Sequence, residues 1–368
     1  MTSVIRNQTI LVTGACGTVG SALVERLLTD PVYEPKDVVG IDNNEGQLFF
    51  LEQKYVSDRR ANFFVADIRD LDELERRMKG IDIVFHAAAL KHVVLCERSP
   101  EQVIQTNIVG LQNIVKASIG NGVKRVIFTS SDKAVNPTNV MGTSKLMGER
   151  LMTAANSRKR GLGTMFTSTR FGNVLGSSGS VVPIFHNQIA QGGPVTLTER
   201  AMTRFVMSTE EAVRLLLDSS TMMQGGEVLI TKMPVIRIAD LAQAMVEELA
   251  PRFGYRPEQI EILEIGVKPG EKLFEELMSL EETRRAIELE NYFVVLPAFR
   301  DIYGEIRYDY KNMVNETVSN PYVSSRETTL DIAAIRDLLR VNNFFSPPIG
   351  KISKRYWPGD KQGGRCEY

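Results

Sequence analysis

The chain has 368 residues, and its 44 Lys and Arg side chains almost balance its 45 Asp and Glu side chains, which leaves a formal net charge of −1. This length is enough for two lobes with substantial cores, whereas the near-neutral charge argues against a nucleic-acid or membrane-surface partner. Three cysteines without metal-type spacing or disulfide density, no apolar run of the roughly 18 residues that span a bilayer, and no signal-peptide core predict a cytoplasmic protein without a membrane segment.

Apolar strands alternate with amphipathic helices through the first half of the chain. The predicted strands cover residues 9–13, 38–42, 62–67, 81–86, 125–129 and 164–170. The predicted helices cover residues 21–28, 71–78, about 100–121 and about 141–158. Near-continuous apolar strands that alternate with helices are typical of a parallel sheet covered on both faces. We therefore predict an α/β fold with a Rossmann-type doubly wound parallel sheet.

The second half of the chain lacks this regular alternation of strands and helices. It is predicted to form a smaller substrate-binding C-terminal lobe. After a Gly/Ser-rich loop, the patterns predict helices at 182–190, 203–222 and 236–249, a strand at 227–231, and a loop at 266–277 that enters a helix. The predicted domains are a cofactor-binding domain at 1–175 with a return segment at about 203–232, a substrate-binding lobe at 176–202 and 233–300, and a C-terminal extension at 301–368. The tail from Ser346 is expected to be mobile or to dock a partner.

A glycine-rich turn separates the first strand from the first helix. Gly14, Gly17 and Gly20 have the spacing G-x-x-G-x-x-G, which lets the backbone approach a pyrophosphate at the helix N-terminus. Asp42 ends the second strand, where a carboxylate binds the adenosine ribose and disfavours NADP, or else caps a loop. Asp67 ends the third strand and is expected either to meet the adenine or to cap a helix. These features predict an NAD-binding site.

A polar triplet, Ser131-Asp132-Lys133, follows the strand at 125–129. The carboxyl ends of parallel strands are where ligands and chemistry gather in such sheets. Met141 and Lys145 follow, four residues apart and therefore on one face of a helix. We interpret this stretch as the candidate catalytic centre, with a solvated strand-end ion pair as the alternative.

Taken together, these motifs resemble the extended short-chain dehydrogenase/reductase superfamily, and within it the nucleotide-sugar 4,6-dehydratases that act on UDP-N-acetylglucosamine in bacterial glycan synthesis. The resemblance covers about residues 8–280 and rests on the stretches 131–137, 170–174, 179–183, 192–196, 202–205 and 268–277. Two departures stand out. Met141 replaces the usual tyrosine base, and Ser178 and Lys268 stand where arginine is common, which removes a bidentate fork.

The resemblance implies a lyase in which NAD accepts a hydride from sugar C4 and returns it to C6, so that the cofactor stays tightly bound and is recycled. It implies that Lys133 is the C5 base and that Asp132 is the acid toward the C6 oxygen. Lys133 must be neutral for this role, so we expect burial or cations such as Lys145 to lower its pKa. Lys145 is expected to hold the nicotinamide ribose. The acceptor of the C4 hydroxyl proton stays open between Asp132, a serine relay through Ser130 or Ser131, and water, because methionine cannot transfer a proton.

The resemblance also implies a set of binding residues. The candidates for cofactor binding are Gly14, Cys16, Gly17, Thr18, Val19, Gly20, Asp42, Asn43, Asp67, Ile68, Ala87, Ala88, Ala89, Asn107 and Lys145. The candidates for substrate binding are Lys91, His92, Asn173, Ser180, Val181, Pro183, Thr196, Arg204, Lys268 and Glu271. His86, His92 and His186 show no metal-ligand spacing, so no metal is expected. A nucleotide sugar is the expected partner, and homo-oligomers are expected from the habit of the family.

Several alternatives stay open from the sequence. A C5-inverting dehydratase or one that uses a GDP-linked sugar would share every motif above. A 4-epimerase would share the fold and cofactor, but it would normally keep the tyrosine and has no need of Asp132-Lys133. A redox-sensing or scaffold protein that binds NAD without catalysis is the alternative from another class, and the loss of the tyrosine is its best support.

Overall fold

A computed structural model describes residues 4–156, 163–177, 179–266, 270–299 and 306–345. In the first part of the chain the elements are β1 (Thr9–Thr13), α1 (Thr18–Thr29), β2 (Asp37–Asp42), α2 (Glu45–Lys54), β3 (Ala61–Val65), α3 (Leu71–Arg77), β4 (Ile83–His86), α4 (Val93–Arg98), α5 (Pro100–Val103), a π-helical segment (Ile104–Val109), α6 (Gly110–Gly120), β5 (Arg125–Ser131), a 3₁₀ turn (Asp132–Ala134), α7 (Val140–Ala155) and β6 (Met165–Phe171).

The later elements are shorter and less regular. They are β7 (Asn173–Val174), α8 (Val181–Ala190), β8 (Val195–Leu197), β9 (Thr203–Met207), α9 (Thr209–Met222), β10 (Val228–Thr231), β11 (Val235–Arg237), α10 (Ile238–Leu249), 3₁₀ turns (Pro251–Phe253 and Pro257–Gln259), β12 (Ile262–Glu264), β13 (Glu276–Met278), α11 (Leu280–Thr283), β14 (Ala286–Leu289), β15 (Tyr292–Val295), β16 (Met313–Asn315), β17 (Tyr322–Val323) and α12 (Ile332–Val341).

A sheet of 10 strands in the order β16-β14-β15-β10-β6-β5-β4-β1-β2-β3 forms the centre of the molecule. The strands from β10 to β3 pair in parallel, and the strand order reverses between β1 and β4. Such a reversal opens a crevice at the carboxyl ends of the two strands. The prediction of a Rossmann-type α/β fold is therefore confirmed, and the glycine turn after β1 lies at this crevice.

The prediction of one helix over residues 203–222 is wrong for its first five residues. Thr203–Met207 form β9, which is buried along its whole length and pairs with β7 and β11. The helix begins at Thr209 because Ser208 and Glu211 form a reciprocal capping box. The helix predicted over 236–249 likewise begins with strand β11, and the loop at 266–277 ends in strand β13 before the short α11.

The boundary drawn for the substrate-binding lobe also needs a correction. β14 and β15, which fall inside the predicted lobe segment 233–300, pair antiparallel with each other and extend the main sheet beyond β10. β16 of the predicted C-terminal extension joins the same edge. The physical reason is that their apolar residues cover the open edge of β10 and join the main core. The tail from residue 346 lies outside the described residues.

A second apolar core lies beside the main sheet and is built by α8, α10 and α12. Ile335 and Leu339 of α12 are fully buried in it, so part of the C-terminal extension completes the smaller lobe. Among the residues described, no helix is both long enough and apolar enough to cross a bilayer.

Candidate functional site

The turn between β1 and α1 admits only glycine at two positions. Gly14 has φ +68°, and a Cβ on it would lie 2.7 Å from the backbone nitrogen of Ala88. A Cβ on Gly20 would lie 2.1 Å from the carbonyl oxygen of Gly14. Gly17 is the N-cap of α1 and supplies no side-chain acceptor, so the first N–H groups of this helix have no side-chain cap. This backbone fits a pyrophosphate that approaches the start of α1.

The carboxylate of Asp42 is fixed at the end of β2. One oxygen accepts a hydrogen bond from the backbone N–H of Cys16 at 3.0 Å, and the other accepts from the N–H of Asn44 at 3.0 Å. Asp42 therefore braces the glycine turn and also points a charge at the crevice. Asp67 accepts from the backbone and side chain of Arg69, which lowers the pKa of its carboxyl group. Asp70, not Asp67, is the N-cap of α3, so the capping alternative for Asp67 is not realised.

A cleft of about 530 Å³ opens at the crevice. It is lined by nearly all of the predicted cofactor residues: Gly14, Cys16, Gly17, Thr18, Val19, Gly20, Asp42, Asn43, Asp67, Ile68, Ala87, Ala88, Ala89 and Lys145. Leu90, Thr106, Thr129 and Ser130 also line it, although the sequence patterns did not single out the first three for any role. The glycine turn, the Asp42 carboxylate and the volume of this cleft together fit a bound dinucleotide.

Asn107 is the exception among the predicted cofactor residues. It is buried in the π-helical segment, and its amide accepts from the Leu90 N–H and donates to the Leu90 carbonyl and to Ser144 Oγ. The oxygen and the nitrogen of its side-chain amide are therefore both hydrogen-bonded within the protein. Asn107 is also not among the residues that line the cleft. This corrects the expectation of a direct cofactor contact. Asn107 instead fixes the strand-end segment from Ala87 to Leu90 that forms the wall of the cleft.

Asp132 and Lys133 project from the 3₁₀ turn that follows β5. Asp132 Oδ1 accepts from Ser131 Oγ at 2.6 Å, from the Lys133 N–H at 2.8 Å and from Lys133 Nζ at 3.0 Å. Lys133 Nζ also lies 3.4 Å from Oε1 of Glu275. Burial by itself lowers the pKa of Lys133, but the two carboxylates outweigh it, so the pKa is raised. The expectation of a lowered pKa is wrong because the sequence did not reveal Glu275 as a second anionic neighbour.

Lys145 reaches the same cleft from α7. Its ammonium group donates to the carbonyl of Thr129 at 2.7 Å and lies 4.8 Å from the centre of the Phe128 ring. Burial lowers the pKa of Lys145 to about 8, against the opposing effect of Glu149 one turn further on. Met141, one turn earlier, lines the cleft and is packed into a small buried cluster with Cys96 and Val103.

A second cleft of about 520 Å³ lies between the main sheet and the smaller lobe. It is lined by the predicted substrate residues Lys91, His92, Asn173, Ser180, Val181, Thr196, Arg204 and Glu271. Lys91, His92, Asn173 and Val174 line both clefts, so the two clefts meet there. Pro183 lies in the first turn of α8, outside the lining of both clefts, and Ser178 and Lys268 lie outside the described residues.

The charged residues of the second cleft are already engaged within the protein. Arg204 donates to the carbonyls of Thr203 and Lys272 and lies 3.6 Å from carboxylate oxygens of both Glu271 and Glu275. The structural ion pair considered for Glu271 is therefore present. Burial lowers the pKa of Lys91 and of His92, and Lys91 lowers the pKa of His92 further.

The sequence patterns missed three buried carboxylates that support this region. Glu275 faces Lys133, while Glu149 and Glu282 flank the buried guanidinium group of Arg170. Acidic residues in helical or loop context carry no signal of burial, so only the packing reveals them. In the part of the chain that the structure covers, no cluster of three or more His, Cys, Asp or Glu residues is arranged to hold a metal ion.

Several known proteins are similar to this chain in sequence and in fold. The family described as polysaccharide biosynthesis protein matches residues 10–297. The uncharacterized membrane protein MJ1061 of Methanocaldococcus jannaschii is 49% identical and covers 79% of this chain and 86% of its own length. A UDP-N-acetylglucosamine 4,6-dehydratase (inverting) of Campylobacter jejuni is 35% identical, and the match covers 91% of this chain and 97% of that protein.

Other relatives carry a different activity in their names. A UDP-glucose 4-epimerase of Rickettsia canadensis is also 35% identical and covers 92% of this chain and 97% of its own length. The X-ray structure of Pen from Bacillus thuringiensis superposes with a TM-score of 0.85 at 37% identity and covers 93% of this chain and 99% of that chain. The chain therefore belongs to the polysaccharide biosynthesis protein family of extended short-chain dehydrogenases/reductases, whose members include nucleotide-sugar dehydratases and epimerases.

Proposed function

We propose that this protein is an NAD-dependent lyase that converts UDP-N-acetylglucosamine into its 4-keto-6-deoxy derivative by 4,6-dehydration. The observation that carries the proposal is the Asp132–Lys133 pair beside the junction of the two clefts, where the amide of Asn173 lies 3.4 Å from Asp132 Oδ2. Elimination across C5 and C6 of a sugar needs an acid and a base on neighbouring atoms, and this pair supplies both.

The cofactor cleft would hold NAD through the glycine turn, Asp42 and Lys145. When bound, NAD supplies the acceptor for the C4 hydride and the donor that returns it to C6. Lys145 binds the nicotinamide ribose, and its positive charge favours deprotonation of nearby groups. Met141 lines the cofactor cleft from the first turn of α7 and moves no proton.

Asp132 and Lys133 together carry out the proton transfers at C4, C5 and C6 of the sugar. Asp132 accepts the C4 hydroxyl proton and delivers it to the C6 oxygen, which leaves as water. Lys133 removes the C5 proton and, after exchange with solvent, returns a proton to C5. Ser131 donates to Asp132 at 2.6 Å and orients it, whereas the hydroxyl of Ser130 is already committed to Glu149 at 2.6 Å. This bonding favours Asp132 over a Ser130 relay as the acceptor of the C4 hydroxyl proton.

The diphosphate of the substrate fits the second cleft at the start of α8. The N-cap residue Ser180 makes no side-chain cap, and its buried hydroxyl has no hydrogen-bond partner among the described residues. The first N–H groups of α8 are therefore available to an anion, with Lys91 nearby on the wall shared by both clefts.

Proton NMR in D₂O tests the function. Purified protein is incubated with UDP-N-acetylglucosamine and, separately, with GDP-N-acetylglucosamine. We expect the UDP sugar to give a 4-keto-6-deoxy product that carries deuterium at C5, and the coupling constants report whether C5 is retained or inverted. No conversion of either sugar would refute the dehydratase proposal, and conversion of only the GDP sugar would move the assignment to that substrate.

A 4-epimerase is the second candidate, because relatives at 35% identity bear that name. In the same experiment it would give UDP-N-acetylgalactosamine without deuterium at C5 and without loss of the C6 hydroxyl. An epimerase would normally keep the tyrosine that Met141 replaces, and it has no need of the Asp132–Lys133 pair, so this candidate stands second.

A further inference from the structure

Glu275 is a buried carboxylate held against the proposed base. Its side chain is 3% exposed. Its backbone is fixed on both sides by Ser324, whose Oγ accepts from the Glu275 N–H and whose N–H donates to the Glu275 carbonyl, each at 2.9 Å. Oε1 lies 3.4 Å from Lys133 Nζ and 3.6 Å from Arg204 Nε. Oε2 is buried and has no hydrogen-bond partner among the described residues.

The carboxylate faces a small space beside the substrate cleft. A cavity of about 170 Å³ is lined by Lys133, Asn173, Arg204, Glu271, Lys272 and Glu275, together with residues of α4 and the 138–139 loop. The carboxylate of Glu275 therefore lies at this cavity, with Lys133 Nζ 3.4 Å from its Oε1.

Lys133 cannot serve as a base while it keeps its resting proton. The carboxylates of Asp132 and Glu275 raise its pKa, so the ammonium form dominates near neutral pH. Equilibration of that proton with water would leave only a small fraction of Lys133 neutral near pH 7. The site therefore needs an internal acceptor.

We propose that Glu275 is a positioning residue that accepts the resting proton of Lys133 and so generates the neutral amine that removes the substrate C5 proton. This inference rests on the proposed dehydratase function. One N–H bond of Lys133 breaks, one O–H bond forms on Glu275, and the charged pair becomes a neutral pair without any change in redox state. The total number of protons in the pair stays constant.

The geometry favours Glu275 over Asp132 for this task. Asp132 Oδ1, the oxygen nearest to Lys133 Nζ, already accepts three hydrogen bonds, and a fully bonded carboxylate oxygen resists protonation. Oδ2, which has only the Asn173 amide at 3.4 Å, is the oxygen left for the C4 hydroxyl proton of the substrate. The unpartnered oxygen of Glu275 is costly to bury as an anion, and protonation relieves that cost.

The surrounding charges act on the pKa of Glu275 in opposite directions. Burial raises its pKa, as does Asp132, whereas Lys133, Arg204 and Lys272 act in the opposite direction, and the net pKa is raised. These groups come from the turn after β5, from β9 and from the loop before β13. Lys133, Arg204 and Lys272 line the same cavity as Glu275, and Asp132 lines the cofactor cleft.

The test compares wild type with Glu275→Gln, which keeps the shape of the side chain but cannot accept a proton. Glu276→Gln is the matched control, because Glu276 pairs with Asn136 and Lys272 and lies outside all three cavities. The rate of 4-keto-6-deoxy product formation is measured against pH with UDP-N-acetylglucosamine deuterated at C5, so that C5 cleavage limits the rate.

We expect a rate that is nearly constant from about pH 6 to 7.5 in wild type and in Glu276→Gln, because proton transfer within the pair does not depend on pH. Lys145, with a pKa of about 8, keeps most of its charge over this range. In Glu275→Gln the rate should rise about tenfold per pH unit below the pKa of Lys133, because the proton must now leave to water. If the rate–pH profiles of wild type and Glu275→Gln had the same shape and differed only in height, the proposal would be overturned.

A second measurement needs no turnover and separates this inference from the proposed function. Acetylation of Lys133 by acetic anhydride is followed by mass spectrometry against pH in substrate-free protein, with exposed Lys124 as internal reference. Glu275→Gln should shift the Lys133 curve to lower pH and leave Lys124 unchanged. Identical Lys133 curves would overturn the role of Glu275, even if wild type converted no UDP sugar and the dehydratase proposal had failed. A Glu275→Asp variant that restores the flat rate profile at reduced height would support it.

Discussion

Arg170 of β6 binds Glu149 of α7 in a bidentate pair in which Nε donates to Oε1 and Nη2 to Oε2, each at 2.8 Å. The same guanidinium group donates to both oxygens of Glu282, and all three side chains are buried. Glu149 Oε1 also accepts from Ser130, a residue of the cofactor cleft. The pair therefore connects the core of the main sheet to the floor of the candidate active site.

Glu149→Gln should lower the free energy of unfolding by about 3 kcal/mol, because removal of one partner leaves a buried guanidinium group poorly compensated. It should also lower the pKa of Lys145 further, since Glu149 raises it. Chemical denaturation checks the first effect. The control is Glu210→Gln, which removes an exposed partner of Arg26 and should change stability by less than about 0.5 kcal/mol. Equal effects of the two variants would contradict the structural importance of the buried pair.

Asp132→Asn and Lys133→Ala should each reduce kcat about a thousandfold, because each removes one of the two proton-transfer groups. NAD content, measured by chromatography of the denatured protein, should not change, since neither side chain is needed to hold the dinucleotide. Lys124→Ala, at an exposed lysine paired with Asp82, is the control. Activity near that of wild type in either variant would refute the assigned roles.

Met141→Leu should keep kcat within about fivefold of wild type, because the side chain fills a buried apolar cluster and a volume-conserving exchange is tolerated. Steady-state assays with UDP-N-acetylglucosamine check this expectation. A loss as large as that of Lys133→Ala would show that the thioether has a specific part in catalysis.

Asp42→Ala should weaken NADH binding about ten- to thirtyfold, because it removes the charged acceptor proposed for the ribose and the brace on the Cys16 N–H. It should also narrow the preference for NADH over NADPH. Titration calorimetry measures both affinities, and Asp37→Ala, at the other end of β2, serves as the control. Unchanged NADH affinity would remove Asp42 from the cofactor site.

The buried side chain of His86 should make the free energy of unfolding depend on pH. Burial lowers its pKa from 6.5 to about 3, while Nδ1 is paired with Thr13 Oγ1 at 2.7 Å. At a pH between these two pKa values, His86 is protonated in the unfolded chain but neutral in the folded protein. The free energy of unfolding therefore falls as the pH falls. The loss from His86 between pH 7 and pH 5 should be about 2 kcal/mol. In His86→Gln the difference in unfolding free energy between the two pH values should shrink by that amount; an unchanged difference would show that His86 is not the group responsible.

The sequence alone was enough to predict the elements whose pattern is local. The glycine turn, the strand-end acid Asp42 and the apolar strands of the parallel sheet follow from spacing and periodicity, and the described residues place them as expected. The helix expected over 203–222 failed at β9 because a short strand buried on both faces has no alternation to distinguish it from a helix. The antiparallel edge formed by β14 and β15 was missed because its partner β10 is distant in sequence.

The same limit applies to the candidate site. The sequence determined that Asp132 and Lys133 stand at the end of a strand and that Lys145 lies on the helix that follows. Its resemblance to the family led us to expect a tyrosine at the position of Met141. Only the tertiary structure decided the charge state of Lys133, because Glu275 lies more than a hundred residues away in the chain and reaches it through the packing of β9, β13 and β17. Periodicity reports which residues share a face, whereas a pKa depends on every charge within a few ångströms, and those neighbours are set by the fold.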